Sequence, residues 1–144
     1  MRLGQKLKAY KILLDTNILI SAAYSKMGVP SQAYRKAVEP PCLAFVCEQS
    51  IEEFRRVFNR KFPDKIYAFE SFITAALSVM AVVPVPRTAD NNEGKIRDVS
   101  DRAILRAAIK AGVDIIVTGD KDFLESGLKT PIIMTAADFI KKTL

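Results

Sequence analysis

Short apolar runs that stop at polar residues alternate along the chain with longer amphipathic stretches. Tyr10 to Leu14 (YKILL) is one such run, and it reads as a buried strand with Asp15 at its C-terminal end. Leu43 to Cys47 (LAFVC), Ile115 to Thr118 (IIVT) and Pro131 to Met134 (PIIM) repeat the pattern. Ala81 to Val85 (AVVPV) is equally apolar, but Pro84 and Pro86 confine it to a sheet edge or a strand end. Helical spacing appears over Ser31 to Val38, entered at Pro30 and stopped by Pro40 and Pro41, and again over Ser50 to Arg60. A further helix runs from Asp64 to about Met80 with Ile66, Phe69, Ile73, Ala76 and Leu77 on one face. Asn17 to Tyr24 is apolar with a period that decides neither helix nor strand. Arg87 to Arg97 combines turn formers with mixed charge and is expected to be the most mobile segment. Asp98-Val99-Ser100-Asp101 opens a helix that continues through Ala103 to Ala111 and stops at Gly112. Thr135, with Asp138 three residues on, caps a short C-terminal helix.

Continuous apolar strands separated by helices predict a central parallel sheet covered on both faces, a three-layer α/β/α architecture. The length of 144 residues suits one core, and no repeat or linker divides the chain, so a single domain over residues 1–144 is expected. Sites in such folds lie beyond the carboxyl ends of the strands, where the strand order reverses. Asp15 and Asp120 emerge there.

Composition narrows the chemistry. The chain has no histidine and no tryptophan, which excludes Ser-His-Asp and Cys-His catalysis, imidazole bases and His-ligated metals. A formal charge of +6 fits a polyanionic partner, nucleic acid before an anionic membrane surface, and equally fits a soluble protein that is merely basic. Cys42 and Cys47 form no ligand spacing and are expected to be reduced. The opening MRLGQKLKAY is basic but lacks the apolar run of a signal peptide, and no stretch has the length of a membrane span, so a cytoplasmic location is expected.

The acidic residues stand at strand exits and helix entrances. Asp15 follows ILL, Asp120 follows IIVTG, Asp122 lies just beyond, and Asp98 and Asp101 open the helix before the second of these strands. Carboxylates that converge without histidine or thiolate repel one another unless a hard cation sits between them, and oxygen-only ligation favours magnesium or manganese. Each has a plainer reading. Asp98, Asp101 and Asp122 are all placed to satisfy free N–H groups at a helix N-terminus. Asp15 is harder to explain by packing, because a carboxylate after three apolar residues needs partners to offset desolvation. Asn17 fits either a turn or a role in holding Asp15. On the Ser50 to Arg60 helix, Ile51, Phe54, Val57 and Phe58 form the apolar stripe; Glu53 lies toward it and Glu52 nearly opposite, though both also fit a solvated face. Basic residues gather at Arg55, Arg56, Arg60 and Lys61 and at Arg87, Lys95, Arg97 and Arg102, where they serve either as phosphate contacts or as solvated helix surface.

A receiver domain would want adjacent acidic residues after the first strand and a lysine after the last, whereas Asp15 stands alone and the last strand leads into Met134-Thr135. A haloacid-dehalogenase-type DxD motif would need aspartate where the chain has Asn17. Neither GxxxxGK[ST] nor GxGxxG occurs.

Taken in order, LLDTN at 13 to 17, Glu53 followed by Phe54, SDRAILRAAIKAG at 100 to 112 and IIVTGDKDF at 115 to 123 resemble the PIN-domain family, and within it the VapC-type toxins of toxin-antitoxin pairs. The resemblance runs from about Ile12 to Phe139. It implies a PIN-like fold with a metal site made by Asp15, Glu53, Asp101 and Asp120, with Asp122 contributing and Asp98 at a further acidic position. Glu53 is the match because it precedes apolar Phe54 where the family has glutamate before leucine.

The implied activity is a magnesium- or manganese-dependent ribonuclease cutting single-stranded RNA. Asp15, Glu53, Asp101 and Asp120 are the expected catalytic residues, and Asn17, Arg55, Arg56, Arg97 and Lys121 the expected substrate contacts. A homodimer and an antitoxin partner whose inhibitory segment enters the acidic groove are implied as well, with no membrane partner. The alternatives are a catalytically silent PIN-type module that binds RNA or protein, and a nuclease acting on branched DNA.

Overall fold

The structure is a computed structural model, and it describes residues 8–144. Most of the basic opening segment therefore lies outside the described residues.

The elements run β1 (Tyr10–Leu14), α1 (Thr16–Tyr24), α2 (Val29–Ala37), β2 (Cys42–Cys47), α3 (Glu48–Lys61), α4 (Ile66–Val79), β3 (Met80–Val83), α5 (Val99–Ala111), β4 (Ile115–Val117), α6 (Lys121–Leu124), β5 (Ile132–Met134) and α7 (Ala136–Lys141). The five strands form one parallel sheet in the order β3-β2-β1-β4-β5. From β1 the chain steps outward to β2 and β3, then returns to the other side of β1 for β4 and β5. The strand order thus reverses between β1 and β4, and Leu14 pairs with Val117 at that point. Asp15 and Thr118 are the next residue on each strand, so the topology brings these two chain segments side by side at the carboxyl edge.

Alternation along β1 divides the core. Ile12 and Leu14 face a layer that includes Ile18 and Leu19 of α1, Ala33 and Ala37 of α2, Phe54 and Phe58 of α3, Phe69, Ile73 and Ala76 of α4, and Phe139 of α7. Leu13 faces the opposite layer, built from Ile104, Leu105, Ala107 and Ala108 of α5 with Phe123 of α6 and Ile96. Three layers, α/β/α, result.

The ambiguous Asn17 to Tyr24 stretch is helical because the Asp15 side chain caps it. β3 ends at Val83, since Pro84 cannot donate to a neighbour, and it is an edge strand as its prolines require. A 3-10 turn at Pro63–Lys65 replaces the first turn of the long helix expected from Asp64. Gly112, at φ +70, closes α5 as a left-handed cap.

Residues 87–97 depart from expectation: the segment is anchored. Arg106 of α5 grips Glu93 through Nε at 2.7 Å and Nη2 at 3.1 Å and donates Nη1 to the Pro86 carbonyl at 3.1 Å. Arg102 Nε donates to the Ile96 carbonyl at 2.7 Å, and the Ile96 side chain is fully buried. Two arginines one turn apart on α5 therefore strap the segment that leads into Asp98.

Candidate metal centre

Asp15 caps α1 and is 3% exposed. Its Oδ1 accepts the Thr16 N–H at 2.7 Å, and its Oδ2 accepts the buried Thr118 hydroxyl at 2.7 Å. That hydroxyl also accepts the Asp120 N–H at 3.0 Å, so one side chain at the end of β4 ties Asp15 to the backbone of Asp120. Burial pushes the Asp15 carboxyl up to about 6 against these two hydrogen bonds, and the charges of Glu53 and Asp120 push the same way.

Asp101 lies in the first turn of α5, which is where a helix dipole favours an anion. It is nevertheless buried at 6% exposure, and its Oδ2 has no hydrogen-bond partner. Burial raises its carboxyl to about 8, and the neighbouring Asp120, Asp15 and Asp98 carboxylates add to that rise. Asp98 is the N-cap of α5, accepting the Ser100 N–H at 2.8 Å, and Asp120 is the N-cap of α6, accepting the Asp122 N–H at 2.8 Å. One carboxylate oxygen from each of Asp98, Asp101 and Asp120 lies within 4.8 Å of the others. Among the described residues no lysine or arginine makes an ion pair with Asp15, Asp98, Asp101, Asp120 or Glu53.

Glu53 is half-buried on α3 and its Oε2 receives the Thr16 hydroxyl at 3.4 Å, a long contact, while Glu52 is exposed. Thr16 thus touches Asp15 through its backbone and Glu53 through its side chain, linking β1's exit to α3. Asp122 faces a different partner. Its Oδ1 receives Arg97 Nε at 3.2 Å and Nη2 at 3.0 Å.

The remaining basic and polar residues spread out. Arg55 lies 3.6 Å from Glu70, bridging α3 to α4, with both side chains half exposed. Arg56 and Lys121 are exposed and make no ion pair among the described residues. Asn17 is exposed and makes no hydrogen bond to Asp15; it lines a cleft of about 360 Å³ between α1 and α3, together with Ile20, Tyr24, Val57 and Phe62.

The donor set suits a hard divalent cation. It offers carboxylate oxygens alone, and a buried oxygen of Asp101 has no protein donor in a site shared with the Asp98 and Asp120 carboxylates. Asp98, which the sequence offers both as a helix cap and as a further acidic position of the site, is one of the three converging acids, whereas Thr16 and Thr118 were not among the expected site residues. The signal for Asp98 was present in its position three residues before Asp101, the same helix face one turn away. For the two threonines only their adjacency to Asp15 and Asp120 was available.

A family model described as PIN domain matches residues 11–122. No curated protein matches the sequence. Among solved structures, the VapBC2 structure from Rickettsia felis, bound to a DNA fragment from its promoter, contains a similar chain: 15% identity, TM-score 0.66, over 87% of this chain and 98% of that one. PAE2754 from Pyrobaculum aerophilum aligns at 14% identity and TM-score 0.64 over 92% of this chain and 88% of its own. VapC20 of Mycobacterium tuberculosis, a toxin that cleaves the sarcin-ricin loop, aligns at 19% and 0.57 over 81% and 95%. These likenesses establish a shared fold. With the family model covering most of the chain and the acidic cluster at the sheet's switch point, the chain belongs to the PIN-domain family.

Proposed function

We propose that this protein is a divalent-metal-dependent endoribonuclease that cuts single-stranded RNA, and that it is the toxin of a toxin-antitoxin pair. The observation that carries the reading is the convergence of Asp98, Asp101 and Asp120 oxygens within 4.8 Å, in a site where none of the acids is neutralised by a basic side chain. Such a cluster costs stability in the absence of an ion. Asp101 and Asp120, with Asp98 beside them, would hold magnesium or manganese, while Asp15 and Glu53 line the inner side, directly or through water. A bound divalent ion supplies Lewis-acid stabilisation of the phosphate and activates the attacking water. The chain's own part is to fix the carboxylates: Thr118 holds Asp15 against Asp120, Thr16 links Asp15 to Glu53, and α5 and α6 set their caps toward each other. Arg56, Lys121 and Arg55 offer exposed cations for the RNA backbone, with Asn17 at the edge of the neighbouring cleft.

The resemblance to VapC-type proteins supports an antitoxin partner, a homodimer and a cytoplasmic setting. Among the described residues no helix is long and apolar enough to cross a membrane. The experiment is cleavage of an RNA panel by wild type and Asp120→Asn with manganese or with chelator. Manganese-dependent cutting by wild type alone supports the reading. Equal activity in both proteins overturns it, salt-sensitive RNA binding without cutting points to a silent module, and a preference for branched DNA points to a structure-specific nuclease.

A further inference from the structure

The Arg97 and Asp122 pair has the wrong properties for a stabilising contact. The Arg97 side chain is 86% exposed and that of Asp122 27% exposed, and ion pairs so open to water contribute little to stability. Its position is more telling. Arg97 directly precedes Asp98 on the strapped segment, and Asp122 follows Asp120 by two residues on α6, where its own N–H is bound to the Asp120 carboxylate. The pair therefore spans the lip of the acidic cluster, from the element carrying Asp98 to the element carrying Asp120.

The guanidinium carries five N–H donors in a planar fork. Asp122 Oδ1 takes one from Nε and one from Nη2, and the other three make no hydrogen bond among the described residues. An arginine held along one edge by a carboxylate is oriented while its remaining donors stay available. That arrangement suits bidentate contact with a phosphate. The same contact engages Asp122 Oδ1 with a cation of the protein, and Asp122 contributes no oxygen to the three that lie within 4.8 Å of one another.

We infer that Arg97 is the phosphate-contacting cation at the lip of the metal centre, and that Asp122 is a positioning residue that orients Arg97 instead of a metal ligand. This rests on the proposed RNA substrate and deepens it: the polyanion's backbone, at a phosphate next to the acidic cluster, is what Arg97 reads. A contact of this kind carries no base specificity and acts through affinity and register.

The test uses the full chain in four forms: wild type, Arg97→Gln, Asp122→Asn and the double variant. Manganese binding is measured by calorimetry without RNA, and binding of a labelled single-stranded RNA is measured by anisotropy in chelator across a salt series. Asp122→Asn is expected to keep manganese affinity within about twofold of wild type. Both single variants are expected to weaken RNA binding, Arg97→Gln lowering the salt slope by about one. The double variant is expected to bind no more weakly than Arg97→Gln, because Asp122 acts through Arg97. Melting temperatures are expected to stay near the wild-type value in all three variants, so the RNA-binding losses reflect contact and not unfolding.

A loss of manganese affinity of about tenfold or more in Asp122→Asn makes Asp122 a ligand and overturns the inference. RNA losses that simply add in the double variant, or unchanged RNA binding in Arg97→Gln, overturn it while the nuclease reading stands. Wild type that binds no RNA removes both together.

Discussion

The Thr118 hydroxyl donates to Asp15 at 2.7 Å inside the protein, and both side chains are removed from water. A buried carboxylate oxygen without a donor carries its full desolvation penalty. Thr118→Val keeps the shape and removes the donor, so it should destabilise the fold by about 1–3 kcal/mol in urea titration, while Thr118→Ser stays near wild type. Loss of the second link, to the Asp120 N–H, should also weaken manganese binding in the valine variant.

Asp101 presents the opposite case. Its Oδ2 has no partner and its nearest neighbours are acids, so its charge destabilises the metal-free protein. Asp101→Asn should raise the melting temperature in chelator by a few degrees, a kilocalorie corresponding to about 2–4 °C in a chain of this size. The same variant should lose most of the stabilisation that manganese gives wild type. Stability gained where binding is lost is expected of a functional site.

The pH dependence follows in sign from the same groups. Asp15 is raised to about 6 and Asp101 to about 8, so the folded metal-free protein holds more protons than the unfolded chain between about pH 4 and pH 8. Stability from this source is full below the ordinary carboxylate range and is lost as pH rises through these two values. For Asp15 alone, a rise from 3.8 to about 6 corresponds to about 3 kcal/mol. In chelator, wild type should melt higher at pH 5 than at pH 8, with the advantage of Asp101→Asn over wild type disappearing toward pH 5. Manganese favours the ionised acids, so its stabilising effect should be larger at pH 8 than at pH 5.

The elements that position the centre were legible where local chemistry is decisive. The run YKILL stopping at Asp15 and the run IIVT before Gly119-Asp120 marked two strand ends, and a parallel arrangement was enough to bring them to one edge. Asp98 was harder because a helix cap and a metal ligand are the same residue type at the same place. The anchoring of residues 87–97 was not legible at all. Glu93 meets Arg106 thirteen residues later, after the turn into α5, and nothing in either residue's neighbourhood announces the pair. Thr118 escaped notice for a related reason: its partner Asp15 is 103 positions away and adjacent only through the β1 and β4 pairing.

That anchoring makes a prediction of its own. The Glu93 and Arg106 side chains are 13% and 20% exposed, and removing one leaves the other poorly solvated and unpaired. Arg106→Gln should lower the urea midpoint and should speed proteolysis within residues 84–98. Because the strap leads into Asp98, manganese affinity should fall as well, with Asp101 and Asp120 still in place.

The choice between two adjacent glutamates gives the sharpest separation of site from surface. Glu53 is half-buried, receives the Thr16 hydroxyl and adds to the upward push on Asp15, whereas Glu52 is exposed on the same helix. Both substitutions to glutamine remove one negative charge from α3, so any general effect of net charge on RNA affinity is common to the two. Glu53→Gln should lower manganese-dependent cleavage by about tenfold or more, in the range found when a group holding a metal ligand is removed, with little change in melting temperature. Glu52→Gln should cleave at the wild-type rate. Equal losses in the two variants would place Glu53's influence in the overall field of α3, and a loss confined to Glu52→Gln would require the helix to present its other face to the acidic cluster.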